Sequence, residues 1–259
     1  MPDTALRHFR EDISRARAIL AHADTLPVRT ETEQTLHADV LRSAWMFAVG
    51  ALDANFCDAY TDIVAATMVA KSRQDSLVLP DFFYEIKFPV RVILEEYVNE
   101  NWRWRMGARK MMERETVLSC STIQRLFNKF FRKGHKFFGD LLDGWICHPE
   151  ARARRLFGVT PGAYQQMTPA DKDSARRDGL EQFEKRFEEI FQRRHDCIHN
   201  CDRPRQSPQT IKASTHVLKV VEDIVFLVHR CDEHIRSEFR DFLIGTCGCA
   251  SSTARSVGY

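Results

Sequence analysis

Between Glu31 and Lys71 the apolar residues Leu41, Trp45, Ala48, Leu52, Phe56, Ala59 and Ile63 recur at steps of three and four, with no proline to interrupt them. A strand would alternate every second residue, so this spacing fits one face of a long helix and little else. Such a stripe must be covered by other elements, and the rest of the chain supplies helices to cover it. Arg7 to Ala23 reads as a first helix ended by Leu26-Pro27, and helical runs follow from Val90 to Met112 and from Ser121 to Ile146, the latter broken by glycines at 134, 139 and 144. Pro80 and Pro89 bracket an aromatic segment that fits no one element, and 147–168 reads as loop with one short helix. Thr168-Pro169-Ala170-Asp171 is a helix start, with a capping hydroxyl, proline at the first position and an acid at the third. The helix behind it, continuous or restarting at Gly179, buries Leu180, Phe183, Phe187, Ile190 and Phe191. Asn200 to Pro208 reads as a turn-rich loop. A last helix from Thr210 to Phe242 carries Leu218, Val221, Val225, Val228, Ile235 and Phe239. The expected fold class is an all-α bundle forming one domain over 1–245, with a long helical insertion at 72–168 between the second core helix and the helix ending near Asn200. Residues 246–259 read as a flexible tail.

Charge is unevenly spread. The chain carries a formal +2, but between Trp102 and Lys136 ten Lys/Arg face only Glu113 and Glu115, so that segment should attract phosphates. Trp102-Arg103-Trp104-Arg105 and Lys129-Phe130-Phe131-Arg132-Lys133 interleave rings and cations as single-strand binders do, and Arg103, Arg105 and Lys133 are candidate RNA contacts. The competing reading puts the rings in the core and the cations in water. The first residues lack an apolar signal core and no apolar run approaches a bilayer span, so a cytoplasmic protein with no membrane partner is expected, its eight cysteines reduced.

The chemistry concentrates at Arg193-Arg194-His195-Asp196-Cys197-Ile198-His199-Asn200. RNA carries its own nucleophile, the 2′-hydroxyl. A catalyst must deprotonate it, stabilise the extra charge on the phosphorus oxygens and protonate the departing 5′-oxygen. An imidazole ordinarily exchanges protons near neutrality, so a histidine at 199 suits the proton transfers, while Arg194 offers a permanently charged planar fork to the phosphate. His195 is the adjoining polar group, and Arg193 and Asn200 are further candidate substrate contacts. On an ideal helix Arg194 and His199 lie about 140° apart and His195 and His199 about 40° apart. One regular helix therefore cannot close both the Arg194 and His199 side chains on one phosphate, which favours a two-fold dimer or a helix that unwinds before His199. The histidines could instead cap a helix C-terminus. Zinc on His195, Cys197, His199 and Cys201 is disfavoured, because only the histidine pair has a helical ligand spacing. No metal and no cofactor is expected.

Arg194-His195 followed three residues later by His199, after an amphipathic helix, resembles the signature of the HEPN superfamily, an arginine, a polar residue and a histidine a few positions on. Ala51-Leu52-Asp53-Ala54-Asn55-Phe56-Cys57-Asp58-Ala59-Tyr60 is similar to the earlier long helix of such proteins. The resemblance implies a helical bundle that dimerises across its motif helices, with Arg194, His199 and His195 catalytic in a metal-independent endoribonuclease that leaves 2′,3′-cyclic phosphate and 5′-hydroxyl ends. RNA is then the substrate partner, a defence, toxin or RNA-processing role the setting, and an inhibitory or antitoxin protein a possible second partner. Asp53 and Asp58 become candidates to orient the catalytic Arg or His. The resemblance equally allows a non-catalytic module that binds nucleotides or a partner protein.

Overall fold

A computed structural model describes residues 4–95, 99–139, 142–154, 156–200, 211 and 213–257. Its helices are α1 (Thr4–Ala23), α2 (Glu31–Arg73), α3 (Val90–Leu94), α4 (Glu100–Met112), α5 (Cys120–Phe127), α6 (Leu142–Ile146), α7 (Pro149–Arg154), α8 (Pro161–Gln166), α9 (Pro169–Asn200), α10 (Ser214–Asp241) and α11 (Ser251–Ser256), with a π turn at Phe242–Thr246. Among the described residues there is no strand, so the all-α class holds. No described helix is long and apolar enough to cross a membrane.

The 43 residues of α2 span about 65 Å. A capping box starts the helix: Thr30 Oγ1 accepts from Glu33 N at 3.2 Å, and Thr30 N donates to Glu33 Oε2 at 3.0 Å. The predicted stripe from Leu41 to Ile63 is buried throughout, and beyond it Val49, Val64 and Ala66 bury a second face. α1, α4, α9 and α10 all pack on it. α1 contributes Phe9, Ile13, Ala16 and Leu20 at helical spacing, and α10 contributes Val217, Val221, Ile224, Val228, Ile235 and Phe239. Leu218, expected in the core, is 44% exposed, because it lies off that face.

Three segments depart from expectation. The run from Val90 to Met112 is two helices, since the Asn99 side chain accepts from Trp102 N at 3.0 Å and starts α4 afresh. The run from Ser121 to Ile146 stops at Phe127, passes through a 3₁₀ turn at Asn128–Phe130 and reverses at Gly134, whose φ of +93° suits glycine. The C-terminal segment folds back instead of fraying. Cys247, Cys249 and Ala254 are buried, Gln74 Nε2 donates to Gly248 O at 2.9 Å, and Ala250 N donates to Gln74 Oε1 at 2.8 Å. One glutamine thus satisfies both edges of the returning chain and pins it to the end of α2. α9, by contrast, runs unbroken through Gly179. A β-carbon there would meet Phe157 O at 3.2 Å, so glycine lets the 157 backbone approach without breaking the helix. The turn-rich loop expected after Asn200 lies largely outside the described residues.

Phe130 ties the insertion to the bundle. It is fully buried, with its ring edge-to-face against Tyr60 of α2, Phe82 and Phe83 of the 81–83 turn, Phe239 of α10 and Phe242. Phe131 is 5% exposed against Phe137 and His234. The rings of Lys129-Phe130-Phe131-Arg132-Lys133 are therefore core, not stacking platforms for bases. Cys57, Cys120, Cys147, Cys231, Cys247 and Cys249 form no disulfide, and burial pushes the Cys57 thiol up to about 12, helped by the charges of Asp53 and Asp58. Such thiols are poor nucleophiles.

Replacing Phe130 by alanine should lower unfolding stability by about 3–5 kcal/mol. Leu218→Ala at its exposed site should cost under about 0.5 kcal/mol. Urea denaturation of both variants checks the pair, and equal effects would contradict this packing. Glu238 supplies an acid-range prediction. Burial opposes its charge, yet hydrogen bonds from Arg132 and His135 outweigh that and hold the carboxyl near 2, against an ordinary 4.5. Its stabilising contribution is present above about 4.5 and lost as pH falls from there towards about 2. Denaturation midpoints should fall across that window less steeply in Glu238→Gln than in the wild type.

Candidate functional site

α9 delivers the Arg/His cluster, and two buried polar contacts fix where it points. Trp45 Nε1 on α2 donates to Ile190 O at 3.1 Å. Arg186 Nε donates to Asp223 Oδ2 on α10 at 3.0 Å, with Asp223 wholly buried. Beside these anchors Phe183, Phe187 and Ile190 are fully buried, so the opposite face of α9 and its last two turns carry the polar groups.

In those turns Arg193 lays its guanidinium over the Trp45 ring, 5.9 Å from the centroid. Arg194 is half-buried, and His195 and His199 are exposed with ring centroids 4.4 Å apart. Asp196 is buried and accepts from Gln192 Nε2 at 3.0 Å. The helix stays regular to Asn200, whose side chain lies outside the described residues. The two imidazoles are therefore brought together, whereas Arg194 leaves the axis about 140° from His199. No unwinding resolves that separation within one chain.

Two clefts flank these turns. One, of about 590 Å³, has Glu184, Glu188, Gln192 and His195 on its α9 wall and Ser119 and Ser121 opposite. The other, of about 490 Å³, is lined by Trp45, Arg186, Arg193, Asp196 and His216. His216 stacks obliquely on Trp45 at 5.5 Å. Burial lowers its pKa, and the neighbouring Arg186, Arg193 and Lys219 lower it further, so near pH 7 the ring is neutral and able to accept a proton. Sequence reasoning missed His216. No local motif marks it, since it reaches the cleft only because the start of α10 packs beside the end of α9.

The remaining candidates lie elsewhere. Asp53 Oδ1 accepts from Val117 N at 2.6 Å and fastens the chain before α5 to α2. Asp58 faces His8 Nδ1 at 3.4 Å. Neither orients Arg194 or His199, because their face of α2 turns towards α1 and the 113–118 connection. Arg105 is mostly buried and paired with Asp62 at 2.8 Å, which removes it as a ready RNA contact. Burial raises the Asp62 carboxyl to about 6 despite the pull of Arg105. Arg103 is half-buried, with a buried Nε that has no hydrogen-bond partner. Trp102 is 47% exposed beneath the Arg105 guanidinium. Lys133 is exposed on the turn after Phe131. Among the described residues, no group of three His, Cys, Asp or Glu side chains is arranged to hold a metal ion.

Compared with protein-family models, curated proteins and solved structures, the chain gives no match.

The Arg186–Asp223 pair is the anchor most open to test. Arg186→Ala leaves a fully buried carboxylate without its guanidinium, and a loss of roughly 3–5 kcal/mol is expected in urea denaturation. Glu189→Ala, at the exposed end of the 4.0 Å Arg186–Glu189 contact, should cost under about 1 kcal/mol. Near-neutral behaviour of Arg186→Ala would show that this contact does not fix α9.

Proposed function

We propose that the protein is a metal-independent endoribonuclease of HEPN type that acts as a homodimer, with the end of α9 as its catalytic element. The observation that carries this reading is the pair of exposed imidazoles, His195 and His199, with ring centroids 4.4 Å apart and planes tilted by 43°, beside the half-buried Arg194 at the end of a helix anchored to two others. In the proposed reaction His199 takes the proton of the 2′-hydroxyl. The oxygen attacks the adjacent phosphorus, the 5′-oxygen departs with a proton, and a 2′,3′-cyclic phosphate remains. Arg194 neutralises charge on the phosphorus oxygens as it builds, and a fixed cation does so without reorganising at the moment of reaction. His195, its ring beside that of His199, shares the proton traffic.

In this reading the dimer is part of the chemistry. With Arg194 and His199 on different sides of one α9, a two-fold arrangement of two such helices brings the arginine of one chain to the histidine of the other. Ile198, 48% exposed between the two histidines in sequence, gives that contact an apolar element.

The test is cleavage of single-stranded RNA in excess chelator by wild type, Arg194→Ala and His199→Ala, followed by analysis of the ends. Wild-type cleavage yielding cyclic phosphate, reduced by about 10² or more in either variant, is the expected result. Mixing the two inactive variants should then restore part of the activity, because a mixed dimer rebuilds one intact site. Cleavage that needs a divalent ion, or that survives both substitutions, would refute the assignment. Failure of the mixture to recover would refute the shared site alone.

A further inference from the structure

We infer that the cleft between α9 and the start of α5 is a base-recognition subsite that selects guanine next to the scissile phosphate, with Glu184 and Glu188 supplying the carboxylates that read the base. The phosphate in this statement rests on the nuclease reading, whereas the selection of the base rests on the cleft alone.

The cleft, about 590 Å³, is of ligand size, and its chemistry is one-sided. Glu184, Glu188, Gln192 and His195 line it from α9, and no Lys or Arg is among the lining residues. Among the described residues neither carboxylate has a hydrogen bond or an ion pair, although the two stand one turn apart, where like charges repel. Glu184 is half-buried, and burial alone raises its carboxyl above the ordinary range, with no cation to bring it back. Its charge is felt across the cleft at Cys120, whose thiol is pushed up to about 12 by burial and then by Glu184. Gln192 gives an N–H to Asp196 and keeps its carbonyl as a third acceptor. The two acids do not form a metal site, since among the described residues no third ligand joins them.

A wall of unmatched acceptors repels phosphate and suits a ligand that donates. Within an RNA strand the unpaired bases are such donors. Guanine presents N1–H and its N2 amino group side by side, so one carboxylate accepts both in parallel, as it would from a guanidinium. Adenine and cytosine set a single amino group beside a bare ring nitrogen, whose lone pair opposes the second carboxylate oxygen, and uracil sets its one N–H between two carbonyls. Leu118 and Phe191 add apolar surface for a flat ring.

The cleft also lies where a neighbouring base would fall. Glu188 and His195 are seven residues apart, so they share one face of α9 and stand about 10 Å apart along its axis. The His195 ring in turn adjoins that of His199. This span is of the order of that from the donor edge of guanine to its 3′-phosphate, so a nucleotide with its phosphate at the imidazoles brings its base against the acids.

Binding of guanosine, adenosine, cytidine and uridine, measured by calorimetry in excess chelator, tests the subsite. The proteins are wild type, Glu184→Gln, Glu188→Gln and Glu189→Gln, with circular dichroism to confirm folding. Nucleosides carry no phosphate, so they report on the cleft alone. Glutamine keeps the shape of each acid but presents one acceptor oxygen in place of two, and Glu189, an acid beside the other cleft, controls for net charge. Wild type and Glu189→Gln should bind guanosine about tenfold or more tightly than the other three nucleosides. Loss of that margin in Glu184→Gln or Glu188→Gln assigns the acceptor. Equal affinity for all four, no binding of any, preference for another base, or a guanosine preference that survives in both cleft variants would overturn the proposal. RNA cleavage by the same proteins separates the two readings. Guanosine binding without cleavage leaves the base subsite standing and the nuclease refuted, whereas cleavage without guanosine preference does the reverse.

Discussion

A helix of 43 residues exposes more apolar surface than any one neighbour can cover, and α2 buries residues on more than one face along most of its length. α1, α4, α9 and α10 therefore have to pack around it. The Trp45 indole shows how this reaches the candidate site. Its Nε1 bonds the Ile190 carbonyl, its ring receives the Arg193 guanidinium, and its edge meets His216. One backbone carbonyl and two polar side chains, from two helices, are thus registered against a single α2 residue. The same helix, further along, meets Phe130 through Tyr60, so the insertion and the α9 cluster depend on one scaffold.

The regularity of α9 is what makes the cluster chemically unusual. Had the helix frayed after Asp196, Arg194 and His199 could have turned to the same phosphate. Instead the buried Asp196 and its bond to Gln192 continue the turn to Asn200, and the backbone keeps the two side chains about 140° apart. A helix so held leaves the two side chains on different sides of one chain, which is why the proposed reaction calls on a second copy, and both histidines and Ile198 are exposed.

Much of the fold was legible because it rests on local rules. The α2 stripe, the Thr168-Pro169 start and the aromatic face of α9 are all statements about neighbours three or four residues apart. What stayed hidden depends on contacts distant in sequence. Asn99 begins a new helix inside a run whose periodicity looks continuous. The 247–257 segment orders because Gln74, far earlier in the chain, meets both edges of its backbone. Phe130 and Phe131 sit among cations in sequence, yet they are core because the turn after α5 points them inward. At the site, local spacing identified the His195–His199 contact, but Asp53 and Asp58 were misjudged. A carboxylate on α2 has several possible neighbours, and only the crossing of helices selects Val117 and His8.

The antiparallel course of α9 and α10 sorts the remaining polar groups. Where α9 ends, its last turns and the start of α10 collect Arg193, His195 and His216 around two clefts. At the other end of α10, Glu238 is buried where no residue of α9 is available to pair with it, and the 131–136 turn supplies Arg132 and His135 instead. A buried carboxylate needs such partners whatever else they do. The same guanidinium reaches Asp241 at 3.3 Å, so the 131–136 turn is fastened to the end of α10 through two carboxylates.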